Sequence, residues 1–227
     1  MINFYQYTKR EHVINPNVGI LGIDVPFRAL AAAPSGSGKT NALLNLIVAM
    51  NKTFHEIIVC VKSRDEPLYN HLFDKLGNKS VLFFEDGAVP PTTNYSIKDE
   101  ERNKLKRIDK YQRFIIFDDL ILDHQANVQA KQYFIKGRKL GFSMLYIGQS
   151  FFQIPKMIRD NVQYFILGKN LLNKDLRLIL TCFPTELNLE EFTRVYNENT
   201  QNSLDTLLID IQKGIARPNI TGGAIQL

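Results

Sequence analysis

Apolar residues along this chain fall into short continuous runs, separated by segments with helical periodicity. The runs Arg28–Ala33, Glu56–Val61, Val81–Phe84, Phe114–Asp118, Ser143–Ile147, Gln163–Leu167 and Leu207–Ile211 predict strands. Several are apolar at successive rather than alternate positions, as strands covered on both faces require. Thr40–Met50, Pro67–Leu76, Asp99–Ile108, Gln125–Lys136, Asn173–Leu180 and Leu189–Asn197 predict helices. This alternation predicts an α/β domain with a mostly parallel central sheet and helices on both faces. Asp86–Ser96, with Pro90-Pro91 and Thr92-Thr93-Asn94, reads as a loop. The tail from Lys213-Gly214 through Gly222-Gly223 reads as turns that either form an edge hairpin or wrap a neighbour. Without a repeat or a linker, one domain is expected over 1–227. It divides into an N-terminal extension (1–24), a core (25–170) and a C-terminal part of helices, a strand and a tail (171–227).

Chemistry enters at residues 27–40, FRALAAAPSGSGKT. A short apolar run leads into a Gly/Ser loop that ends in Gly38-Lys39-Thr40, and an apolar, helix-favouring run follows. Strand, glycine loop, Lys-Thr and helix together form a phosphate-binding loop. The loop Pro34, Ser35, Gly36, Ser37, Gly38, Lys39 and Thr40 is the expected cradle, its successive N–H groups curling around the anion. The new helix points its positive end at the anion. Lys39 adds a point charge, and the Thr40 hydroxyl sits where Mg²⁺ would bind. The motif's first glycine is replaced by Ala33. That position closes a strand, and alanine can take strand dihedrals.

A second run, FIIFDDL at 114–120, ends four bulky apolar residues in Asp118-Asp119. A buried strand that delivers a carboxylate to the sheet edge supplies the other half of such a site, Asp118 holding Mg²⁺. Asp119 can polarise the attacking water as a general base. Otherwise the two aspartates cap the next segment. A third run, SMLYIGQS at 143–150, ends in Gln149, whose amide could bond a γ-phosphate or that water, or else simply satisfy a turn.

Composition narrows the classes. A net charge of +5 permits a polyanionic partner without requiring one. Cys60 and Cys182 lie far apart in apolar runs, as small core residues of a reducing compartment do. His12, His55, His71 and His124 show no ligand spacing, so no transition-metal site is expected. The segment MINFYQYTKREH lacks a signal-peptide core, and no apolar stretch reaches a membrane span. A soluble protein, intracellular or inside a particle made there, is expected.

Taken together, PFRALAAAPSGSGKT, EIIVCVKSRDEPLYNHL, FIIFDDL and GRKLGFSMLYIGQSFFQIPKMIRDN resemble the FtsK–HerA superfamily of P-loop motors. Within it they resemble the poxvirus-type DNA-packaging ATPases of large DNA viruses, virophages and related elements. The likeness runs from about Val25 to Lys169, roughly two-thirds of the chain. It implies a P-loop NTPase of the additional-strand catalytic-acid type, with ATP and Mg²⁺ as cofactors. Lys39 and Thr40 then match the phosphate and Mg²⁺ ligands, Asp118 the Mg²⁺ aspartate, Asp119 the catalytic acid and Gln149 the polar sensor. Asp119 stands where much of the superfamily has glutamate, one methylene longer. Such motors form rings, pentamers or hexamers, with ATP at subunit boundaries and an arginine from the neighbour completing the site. Arg138, in GRKLG before the sensor strand, and Arg159, in PKMIRDN after it, compete for that role. Each also has an ordinary use, Arg138 against a helix dipole and Arg159 paired with Asp160 or a neighbouring carboxylate.

The implied partners are double-stranded DNA, further copies of the chain and viral capsid proteins, in the virion or the host-cell cytoplasm, with no membrane. Two basic segments could face DNA phosphates: Lys131, Lys136, Arg138 and Lys139, and the run Lys98, Arg102, Lys104, Lys106, Arg107, Lys110 and Arg113. The second also reads as a solvated helix face, since Glu100 and Lys104 are spaced i,i+4. Phe151 and Phe152 read as core or subunit-interface residues. Competing readings are a GTPase, for which Asn173-Lys174-Asp175 carries its aspartate one position early, and a small-molecule kinase, which lacks a clear arginine-rich lid here. Others are a nucleotide-gated scaffold with little turnover, and a HerA-like helicase, which usually carries an extra N-terminal barrel, whereas roughly 25 residues precede the first core strand here.

Overall fold

The computed structural model describes residues 21–77, 80–95 and 112–227. Its strands are β1 (Arg28–Ala32), β2 (Glu56–Cys60), β3 (Val81–Phe84), β4 (Arg113–Asp118), β5 (Phe142–Gly148), β6 (Tyr164–Gly168), β7 (Thr206–Asp210), β8 (Ile215–Pro218) and β9 (Ile225–Gln226). They form one sheet in the order β3-β2-β4-β5-β1-β6-β7-β8-β9. The first six run parallel, and β7, β8 and β9 add antiparallel ladders. Strand β5 lies between the phosphate-loop strand β1 and the acidic strand β4, which is the additional-strand arrangement of P-loop NTPases.

The helices are α1 (Lys39–Ala49), α2 (Pro67–Leu76), α3 (His124–Lys136), α4 (Lys156–Arg159), α5 (Asn173–Leu180) and α6 (Leu189–Asn199). Alternate strand residues feed two apolar layers. Ile58, Ile115, Phe117, Met144 and Phe165 pack with Tyr133 and Phe134 of α3 and Phe192 of α6 on one face. Ile57, Val59, Phe114, Ile116, Leu145 and Ile166 pack with Leu43 and Leu46 of α1 and Leu72 of α2 on the other. This is why the runs are continuously apolar: each side chain meets a helix layer whichever way it points. Each such residue is worth about 1.5–3 kcal/mol when fully buried.

All seven expected strands form, each within a residue of its expected ends, and five of the six helices match. The helix expected over Asp99–Ile108 lies outside the described residues, as does the basic run Lys98–Lys110. The tail forms the edge hairpin β8–β9. Helix α4, a single turn, was not expected from the pattern, because four residues are too few to show periodicity. Among the described residues no helix is long and apolar enough to cross a membrane.

Candidate nucleotide site

Parallel strands all end at one edge of the sheet, and the loops there bring the candidate residues together. After β1 the chain turns through Pro34–Ser37 into α1. Gly36 and Gly38 take φ 74° and 72°, the left-handed region that a side chain resists. Gly38 is the N-cap of α1 and supplies no side-chain cap, and no acidic residue occupies the first turn. The helix therefore keeps its first-turn N–H groups for an anion. Ala33 has ordinary backbone, and its methyl is accommodated by Gly168 of β6, where a Cβ would come within 2.6 Å of it.

A cavity of about 320 Å³ opens here, walled by Ser35, Gly36, Gly38, Lys39, Thr40, Asp118, Asp119 and Gln149. Asn41, Glu66 and Leu68, not anticipated from sequence, also line it. Pro34 and Ser37 belong to the loop but not to the cavity wall; Ser37 is buried, its N–H donating to the Pro34 carbonyl at 3.3 Å. The Lys39 ammonium donates to the carbonyls of Ala33 and Pro34 at 2.9 and 3.0 Å, folded onto its own loop. Burial lowers its pKa, against the raising effect of Asp118, Asp119 and Glu66.

Asp118 closes β4, level with Ile147 of β5. Its carboxylate accepts a hydrogen bond from the Tyr69 hydroxyl of α2, and that hydroxyl also interacts with Thr40. Burial raises the Asp118 carboxyl to about 6, helped by Glu66 and Asp119 and opposed by the Tyr69 bond and Lys39. The two expected Mg²⁺ ligands thus converge on one hydroxyl. The carboxylate sits among like charges that a divalent cation would offset. Hard oxygen donors of this kind, completed by water and phosphate, suit Mg²⁺.

Asp119 stands just beyond the strand at φ 52°, strained for a residue with a side chain. Its Oδ2 accepts the Gln149 amide N–H at 2.8 Å. The turn after Gln149 is pinned by buried Asp175 of α5, whose Oδ1 accepts from the Ser150 hydroxyl at 2.9 Å and the Phe152 N–H at 2.7 Å. Asp175 is therefore committed to structure and does not line the cavity.

The two arginines lie apart from the cavity. Arg138 is exposed in the turn Gly137–Leu140 before β5, at the opposite edge of the sheet. Arg159 donates its Nε to the Ile154 carbonyl at 3.0 Å and its guanidinium lies 5.5 Å from the centre of the Phe151 ring. Phe151 is buried against Phe165, whereas Phe152 is exposed. Lys136, Arg138 and Lys139 are exposed together at the end of α3 and in the turn after it, and Lys131 is half-buried. Arg113 faces inward, its Nε 2.9 Å from Glu56 Oε2, so it is not free to meet phosphate.

Known proteins share this fold. The family model described as Poxvirus A32 protein matches residues 22–210. No curated protein is significantly similar in sequence. The genome packaging NTPase B204 from Sulfolobus turreted icosahedral virus 2, solved with sulfate, is 13% identical with a TM-score of 0.56, over 86% of this chain and 96% of that one. B204, the DNA-packaging ATPase from Sulfolobus turreted icosahedral virus, is 12% identical with a TM-score of 0.57, over 85% and 96%. The pCW3 conjugation coupling protein TcpA, solved with ATPγS, is 17% identical with a TM-score of 0.55, over 82% of this chain and 58% of that one. At such identities the likeness establishes the fold.

Proposed function

The chain belongs to the poxvirus A32 protein family, and on that premise we propose that it is an ATP-hydrolysing ring motor that drives double-stranded DNA into a viral capsid. The observation that carries the reading is the shared cavity: Lys39, Thr40, Asp118, Asp119 and Gln149 line one space, at the ends of β1, β4 and the strand between them. Lys39 and the first-turn N–H groups of α1 hold the β- and γ-phosphates. Thr40 and Asp118 would hold Mg²⁺, which supplies charge neutralisation on the phosphates. The Asp119–Gln149 pair orients the attacking water.

One lysine faces three carboxylates in this cavity, Glu66, Asp118 and Asp119. A triphosphate adds more negative charge. Hydrolysis through this site therefore calls for cations from elsewhere, Mg²⁺ and an arginine from a neighbouring copy. Arg138 is the better candidate for that arginine: it is exposed, whereas Arg159 is partly committed to Ile154 and Phe151. The exposed cluster Lys136, Arg138 and Lys139 suits phosphate contacts without base reading. Double-stranded DNA, further copies of the chain and capsid proteins are the partners of this reading. The virion or the host-cell cytoplasm is its site of action.

The test is ATP hydrolysis with and without long double-stranded DNA, on wild type, Lys39→Ala and Asp119→Asn. DNA-stimulated turnover that both substitutions abolish is the expected result. Nucleotide binding without turnover, unchanged by DNA, would instead support a nucleotide-gated scaffold, and GTP turnover well above ATP would sink the motor reading.

A further inference from the structure

Glu66 reaches the nucleotide cavity in a way its sequence position conceals. It is the N-cap residue of α2, with extended backbone, yet its side chain makes no capping hydrogen bond. Pro67 follows at the first helical position and has no N–H to offer. The Glu66 backbone carbonyl accepts from Tyr69 and Asn70, so the main chain is fixed while the carboxylate is not spent on its own helix. That carboxylate is half-buried and lines the cavity with Lys39, Asp118, Asp119 and Gln149. It acts electrostatically on both Lys39 and Asp118, the expected phosphate and metal groups. The corner that carries it is well packed. Tyr69, one turn on, is buried with its ring edge-on to Phe83 and its hydroxyl on Asp118.

Asp119 is placed differently. Its Oδ2 already accepts the Gln149 N–H at 2.8 Å, and its side chain is a methylene shorter. A proton acceptor for the attacking water needs the reach to approach the far side of the γ-phosphate. Strand β2 is the neighbour of β4 on the side away from β5 and β1. A group on the corner after β2 therefore approaches the cavity from the side opposite the phosphate loop, where water attacks in line.

Resting on the ATPase reading above, we infer that Glu66 is the catalytic carboxylate that takes the proton of the attacking water, while Asp119 and Gln149 hold that water in place. The water oxygen bonds to the γ-phosphorus. The bond from that phosphorus to the β,γ-bridging oxygen breaks, its electron pair leaving with ADP. The water proton passes to the Glu66 carboxylate and then to the released phosphate or to solvent.

Single-turnover ATP hydrolysis with Mg²⁺ tests this on wild type, Lys39→Ala, Glu66→Gln and Glu66→Asp, alongside mant-ATP binding and thermal melting. Glu66→Gln keeps the shape of the side chain and removes its basicity. The expected result is a loss in turnover of 100-fold or more, mant-ATP affinity within threefold of wild type, an unchanged melting temperature and partial recovery in Glu66→Asp. Glu66→Gln turnover within threefold of wild type would overturn the inference and leave the ATPase reading standing. So would a loss of mant-ATP affinity as large as the loss of turnover, since that marks a binding role. A wild type that hydrolyses no ATP, with or without DNA, removes the ATPase reading and this inference together.

Discussion

The two edges of the parallel sheet are built on opposite terms. At the edge where the strands begin, polar groups are paired off. Arg113 of β4 meets Glu56 of β2 at 2.9 Å and lies 5.2 and 5.6 Å from the centres of the Tyr95 and Phe142 rings. Gln163 accepts the Arg28 N–H, Ser143 accepts the Phe27 N–H, and Arg28 donates to the Phe134 carbonyl and to Asn161. The Arg28 Nε and the Gln112 amide are left over there among the described residues. At the edge where the strands end, charge is left unbalanced. Three carboxylates surround one lysine, and that lysine bonds carbonyls rather than any of them. Two left-handed glycines and a strained aspartate hold the loops. One edge stabilises the fold. The other carries strain and unbalanced charge that a ligand would resolve.

Lys39→Ala gives the largest effect on which this contrast depends. It removes the cation proposed to meet the β- and γ-phosphates, together with its bonds to the Ala33 and Pro34 carbonyls. Turnover is expected to fall by about 1,000-fold or more, an effect on the order of 4 kcal/mol, with a melting temperature close to that of wild type without nucleotide. Steady-state hydrolysis and thermal melting in parallel check both halves. A variant that unfolds would show that the strand-end edge also holds the fold, and the contrast would collapse.

Arg113→Ala reverses the pattern. It leaves Glu56 half-buried without its partner and strips a guanidinium from two aromatic rings. The expected cost is about 1–3 kcal/mol of stability, read as a lower denaturant midpoint. Mant-ATP affinity should stay within twofold, because the change lies a strand's length from the cavity. A change in nucleotide affinity comparable to the stability loss would mean that the two edges are coupled.

How much of this could be read from sequence follows the same divide between local and non-local signals. The sheet was legible because β1, β2, β4, β5 and β6 are covered on both faces and so write unbroken apolar runs. Lys39, Thr40, Asp118, Asp119 and Gln149 were legible because each ends or follows such a run. Glu66 and Tyr69 were not. Within EPLY they read as the start of a helix, and their approach to Asp118 depends on the chain folding back after β2. A signal was present all the same: glutamate is a poor N-cap residue, so its place before Pro67 called for another reason. The antiparallel course of β7 beside β6 was hidden too, since an apolar run does not reveal its direction.

Asp118 sharpens the comparison most finely, because pH reads its charge directly. In the folded chain its carboxyl rises to about 6, against roughly 3.9 in an unfolded chain. The folded state therefore holds the proton more tightly than the unfolded state. Its stabilising contribution is complete below about pH 4 and is lost as pH rises through 6. At pH 7.5 the ionised group is a net burden without a cation. Asp118→Asn removes that burden and keeps an oxygen to accept from Tyr69. The variant should be more stable than wild type at pH 7.5 by about 1–2 kcal/mol, a gain of several degrees in melting temperature. The gap should close as pH falls toward 4. Adding Mg²⁺ with ATPγS should raise the wild-type melting temperature well above that of the variant. A variant less stable than wild type by the same amount at both pH values would mean that Asp118 acts through its bond to Tyr69 rather than through its charge. The strand-end edge would then hold one stabilising pair where the contrast requires a deficit.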